Sequence, residues 1–122
     1  MRILLVDDDA PSVEALREIL ESEGHAVTTA TNGREAMEIL RTADGFAVIL
    51  LDVMMPLMNG YEFRAEQLED PKLRSIPVIV LTADGRSRAQ WDQLRAARIL
   101  QKPLSPPDLL QAIRTHARPT GF

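Results

Sequence analysis

Residues 46–52 read Phe-Ala-Val-Ile-Leu-Leu-Asp, six apolar residues in an unbroken run closed by one acid. A run this short and continuous marks a β-strand covered on both faces, since neither side of it meets water. Downstream, Met54-Met55-Pro56-Leu57-Met58-Asn59-Gly60 must be a loop, because Pro56 and Gly60 both interrupt regular structure. Upstream, Ala43-Asp44-Gly45 breaks a helical pattern over about 34–42 whose inward residues are Ala36, Met37 and Leu40.

The same grammar repeats along the chain. RILLV (2–6) precedes Asp7-Asp8-Asp9, HAVTTA (25–30) follows Gly24, PVIVL (77–81) precedes Thr82, and RILQ (98–101) precedes Lys102. Helical periods fill the gaps. Val13, Leu16, Ile19 and Leu20 stripe a helix over 11–23, with Pro11 in its first turn and Gly24 just past its end. Further helices are predicted over about 60–69 and 86–97, with Asn32-Gly33 and Asp84-Gly85 as turns. The last helix is expected to start at Ser105 as cap, with Asp108 three residues on, and to reach about 117; residues 118–122 are expected to fray. Strands alternating with helices imply a parallel sheet with right-handed crossovers, helices on both faces: a doubly wound α/β fold filling one domain, 1–122.

Composition narrows the function classes. The chain has 122 residues, 45% hydrophobic and 26% charged, the balance of a soluble globular domain. It has no cysteine, which excludes disulfides, thiolate metal sites and thiol catalysis, and His25 and His116 are its only histidines. The net charge of −4 argues against nucleic acid as a direct partner. No apolar run is long enough to span a membrane and no signal peptide opens the chain, so a cytoplasmic location is expected.

In open α/β sheets, ligands bind outside the carboxyl ends of the strands. Here those ends carry Asp7 and Asp8, Asp52, Thr82 and Lys102. If the strand order is 2-1-3-4-5, the first and third strands are neighbours and the three acids crowd together. Two unit charges at 4 Å repel by about 4 kcal/mol at an effective dielectric of 20, so cations must offset them. Lys102 supplies one charge. A divalent, oxygen-seeking ion, Mg²⁺ first, would supply two more, and a carboxylate in such a site can act as a nucleophile toward phosphorus.

Val6-Asp7-Asp8, Leu50-Leu51-Asp52-Val53-Met54-Met55-Pro56, Gly60, Leu81-Thr82-Ala83 and Lys102-Pro103 together resemble the receiver domain of two-component response regulators, over essentially the whole chain. The resemblance implies a five-stranded parallel sheet of flavodoxin-like order 2-1-3-4-5. It implies Asp52 as phosphoacceptor. Asp7, Asp8, Asp52 and the backbone carbonyl of Met54 would bind Mg²⁺ or Mn²⁺. Thr82 and Lys102 would contact the phosphoryl group, and the bond before Pro103 would be cis. A histidine kinase or histidine phosphotransfer protein would be the donor. The fourth helix, fifth strand and fifth helix would form the readout surface toward a downstream protein, an output domain or a second copy of the chain. No membrane partner and no enzymatic turnover beyond the domain's own phosphotransfer and dephosphorylation are implied.

Three departures fall near the readout surface. Ile99 stands three residues before Lys102, where the family usually has an aromatic. Thr82 and Lys102 are twenty positions apart, closer than the family spacing. The Gly-Ala pair expected before the fifth strand is replaced by Arg95-Ala96 or Ala96-Ala97. Blander readings stand beside these. The acidic triplet reads alone as a solvated helix cap, Asp52 as a strand terminator, Thr82 as a β-branched strand residue and Lys102 as a surface lysine. Met54, Met55 and Met58 read as loop packing. Trp91 either covers core or anchors an interface. Arg114, His116 and Arg118 complement a helix end. An aspartate-nucleophile phosphatase is disfavoured because Met54 stands where such enzymes carry a second acid, and a dinucleotide site because no Gly-x-Gly-x-x-Gly follows the first strand. A phosphorylation-independent interaction scaffold is the alternative that Ile99 keeps open.

Overall fold

The computed structural model describes residues 1–52, 59–82 and 94–119. β1 (Arg2–Val6), β2 (Ala26–Ala30), β3 (Phe46–Asp52), β4 (Val78–Thr82) and β5 (Arg98–Gln101) form one parallel sheet of order β2-β1-β3-β4-β5. Helices α1 (Ala10–Ser22), α2 (Gly33–Thr42), α3 (Gly60–Glu69) and a C-terminal helix (Pro106–His116) cover it. Residues 86–93 of the helix expected over about 86–97 lie outside the described residues. No helix among the described residues is long and apolar enough to cross a membrane.

The period of two sorts each strand between two cores. Leu4, Val6, Ile49, Leu51, Val78 and Val80 pack with Ala36, Met37, Leu40 and Phe63 of α2 and α3. Ile3, Leu5, Val48, Leu50, Ile79, Leu81 and Leu100 pack with Leu16 and Leu20 of α1 and with Leu109, Ala112 and Ile113 of the C-terminal helix. β3 is buried along its whole length, which is why its sequence does not alternate.

Element ends differ from the sequence expectation for local reasons. His25 belongs to the turn closing α1 rather than to β2: Gly24 takes φ +85°, and the His25 amide donates to the Leu20 carbonyl at 3.2 Å. Pro77 has no amide to donate and stays outside β4, though its carbonyl accepts from Ile49 at 2.9 Å. Ser105 occupies the N-cap position of the C-terminal helix, but its side chain makes no cap hydrogen bond. A helix cannot run to 97, because residues 94 and 95 form a turn in which Arg95 takes φ 49°. That left-handed conformation costs a non-glycine residue of order 1 kcal/mol. Arg118, expected in the frayed tail, is held: its amide donates to the Ala47 carbonyl at 3.0 Å, and its guanidinium to the Phe46 carbonyl at 3.1 Å and Ser75 Oγ at 2.9 Å.

Candidate functional site

Register carries the strand-end residues to one edge. Val6 pairs with both Ala30 and Leu51, Asp52 pairs with Leu81, and Thr82 pairs with Gln101. Asp7 and Asp8 leave the sheet just past Val6, beside Asp52 at the end of β3. Asp7, Lys102 and Asp52 also lie two positions beyond Leu5, Leu100 and Leu50, and all three of those leucines pack on the face of α1 and the C-terminal helix.

The acidic triplet divides by task. Asp9 caps α1, its carboxylate accepting from the Ser12 amide and hydroxyl. Asp7 and Asp8 turn the other way: one carboxylate oxygen from each of Asp7, Asp8 and Asp52 lies within 4.8 Å of the other two. Asp7 and Asp52 are buried and Asp8 is exposed, so the cluster is open on one side. The Asp7 carboxylate is oriented twice, by the Asp9 amide at 3.0 Å and by Lys102 Nζ at 3.1 Å. Lys102 Nζ lies 3.8 Å from Asp52 Oδ2. The Lys102 amide donates to the Thr82 carbonyl at 2.8 Å, and the Lys102–Pro103 bond is cis. Thr82 closes β4 as a buried residue.

Among the described residues three carboxylates face one ammonium, leaving negative charge in excess. All the side-chain donors are hard oxygens without histidine or cysteine, and their spacing suits a hexacoordinate ion that keeps several waters. The cluster therefore fits Mg²⁺. Met54 lies outside the described residues, as do Met55, Met58 and Trp91. Ile99 is half-buried and packs on the core shared by α2 and α3.

Arg64 and Gln67 were not anticipated. On α3 they share the inward stripe with Gly60 and Phe63 and are buried with it. The spacing 60, 63, 64, 67 could have located them, but the default for arginine and glutamine is the solvent face. Burial, and secondarily the nearby Arg95, push the Arg64 guanidinium below its usual range. Arginine nevertheless remains charged in proteins.

The sequence profile of the response regulator receiver domain matches residues 3–114. The chain is 40% identical over 119 residues to a transcriptional regulatory protein CpxR homolog of Haemophilus influenzae, a match that covers 96% of this chain and 50% of that protein. It spans about half the length of several curated relatives it matches. Among solved structures, the signal receiver domain of a histidine kinase from Syntrophus aciditrophicus superposes with a TM-score of 0.86 at 34% identity, covering 93% of this chain and 87% of that one. The receiver domain of a sensor histidine kinase from Pseudomonas aeruginosa PAO1, solved with a magnesium ion in its active-site cleft, gives 0.81 at 25% identity, covering 94% and 95%. The matching profile, the β2-β1-β3-β4-β5 sheet and the acids at its carboxyl edge agree: the chain belongs to the response regulator receiver domain family.

Proposed function

We propose that this domain accepts a phosphoryl group on Asp52 from a phosphohistidine of a histidine kinase or phosphotransfer protein. The convergence of Asp7, Asp8 and Asp52, with Lys102 reaching the first and third, carries this reading. An Asp52 carboxylate oxygen attacks phosphorus, the P–N bond breaks, and its electron pair stays on the departing imidazole. Asp7, Asp8 and Asp52, with the Met54 carbonyl, would hold Mg²⁺ or Mn²⁺, which neutralises phosphoryl and carboxylate charge when bound. Lys102 and the Thr82 hydroxyl receive the phosphoryl oxygens. The protein is a signalling module spanning 1–122, not an enzyme acting on external substrates. Its phosphorylated state acts on a partner, an output domain or a second copy through β5, the C-terminal helix and the segment before β5.

The donor approaches along α1. Ala15, Leu16 and Ile19 line a largely apolar cleft of about 540 Å³ with Pro103 and Leu104, and Lys102 belongs to both cleft and acid cluster. A helix carrying the phosphohistidine, laid there, would deliver it to the acids.

The test is intact mass after incubation with Mg²⁺ and acetyl phosphate. One phosphoryl adduct is expected, absent in Asp52→Asn and with chelator. An adduct persisting in Asp52→Asn would overturn the assignment. No adduct from either acetyl phosphate or a phosphohistidine protein would favour the scaffold reading, which rests on Ile99 in place of the aromatic.

A further inference from the structure

α3 carries a buried polar bridge that reaches across thirty positions of sequence. Arg64 Nε donates to the Leu94 carbonyl at 2.7 Å, and Arg64 Nη2 to the Arg95 carbonyl at 2.9 Å. Arg64 Nη1 donates to Gln67 Oε1 at 2.8 Å. Gln67 Nε2 in turn donates to the Leu73 and Ile76 carbonyls at 2.9 and 3.1 Å, tying the bridge to the segment between α3 and β4. Arg64 is 6% exposed and Gln67 0%, so both have given up water for these carbonyls. Burying a cation on carbonyl dipoles alone costs more than filling the space with leucine would, so stability is a poor account of it.

The two carbonyls Arg64 holds lie just before β5. That strand has four residues and, among the described residues, sits at the sheet edge and pairs only with β4. Its entry is marked by the Ala97 amide on the Val78 carbonyl at 2.8 Å and its exit by the Lys102 amide on the Thr82 carbonyl at 2.8 Å. Two-sided pairing does not fix its register, as it does for β1 and β3. The bridge supplies that constraint from the side, and it stabilises the left-handed turn at Arg95 that aims the chain into β5.

We propose that Arg64, held by Gln67, is a positioning residue for Lys102: it fixes the carbonyls that precede β5, hence where β5 ends and where the Lys102 ammonium meets Asp7 and Asp52. Taking the acid cluster as the metal site, Lys102 competes with Mg²⁺ for carboxylate oxygens. Any change that withdraws Lys102 then tightens Mg²⁺ binding.

The experiment uses the whole chain in two measurements. In Arg64→Leu/Gln67→Leu, an apolar replacement of similar bulk, amide exchange across residues 98–102 rises about tenfold while exchange across residues 3–6 is unchanged. In a double-mutant cycle on Mg²⁺ affinity by calorimetry, Lys102→Ala and Arg64→Leu/Gln67→Leu each tighten binding. Together they tighten it less than the product, by about threefold, because both remove the same ammonium. Additive effects, or unchanged exchange at 98–102, overturn the proposal. Arg64→Lys, which keeps the charge but reaches one carbonyl, carries the same measurements if the double substitution does not fold. If the unsubstituted chain binds no Mg²⁺, the reading of the acid cluster fails, and exchange alone decides for or against Arg64.

Discussion

The two halves of the functional edge are built differently. Asp7 and Asp52 stand at the ends of β1 and β3, central strands paired on both sides and buried throughout or nearly so. Lys102 stands at the end of β5, a short edge strand whose Arg98 and Gln101 are exposed. The acids are placed by the sheet itself, and the lysine is placed by what holds the sheet's margin. The departures noted in the sequence fall on the lysine's side: Ile99, the residues around Arg95-Ala96-Ala97 that replace the Gly-Ala pair, and the shortened span between Thr82 and Lys102. The acids are thus anchored in the core, and the departures gather at the margin.

The largest test of that contrast is stability. Leu50→Ala in β3 removes a fully buried side chain and should cost about 3 kcal/mol, read by urea denaturation. Ile99→Ala in β5 should cost only about 1 kcal/mol, since the side chain is half-buried at the sheet edge. Equal costs would mean that β5 is as much part of the core as β3. Next comes the charge of the acid cluster. Without metal, Asp52→Asn should stabilise the protein by about 1 kcal/mol, raising Tm by about 3 °C, because it removes one of three crowded like charges. With saturating Mg²⁺ the order should reverse, since the unsubstituted chain gains more from the ion. Melting curves that rank the two proteins alike in both conditions would count against a shared metal site.

A smaller effect separates donor docking from chemistry. If a protein donor docks in the α1 cleft as proposed, Ala15→Glu on α1 should slow transfer from a phosphohistidine protein about tenfold and leave acetyl phosphate labelling unchanged. The smallest effect lies far from the site. Partial burial, then the N-terminal ammonium 3.4 Å away, lower the His25 pKa from 6.5, against a weaker opposing pull from Glu23. The folded state therefore binds its proton less readily than the unfolded chain. That contribution is complete above pH 6.5 and is lost as pH falls through the lowered value. His25→Asn should flatten the stability profile slightly over that interval, visible in melts taken from pH 7 downward.

Much of this was legible in the chain. Unbroken apolar runs announced the buried strands because a parallel sheet covered on both faces leaves no polar period to confuse them. The residue closing each run marked the functional edge because parallel strands all end on the same side. Local chemistry set several boundaries: Gly24 ended α1, and Pro77 stayed outside β4. The expectation failed where a residue's role depends on a distant partner. Ser105 looks like a cap by spacing, yet forms no cap bond. Arg118 looks like a tail, yet the base of β3 holds it.

By itself, then, the sequence determined the strand pattern, the fold class and which residues could meet at the carboxyl edge, because hydrophobic period and chain direction are local properties. Only the tertiary structure decided how the acids divide, with Asp9 serving α1 while Asp7 and Asp8 turn toward Asp52. It also decided that Lys102 hydrogen-bonds Asp7, and that a guanidinium and an amide on α3 are buried to hold the entry to β5. These are pairings between groups far apart in the chain. They arise because buried charges and polar groups must find partners wherever the fold brings them, and no local pattern encodes that search.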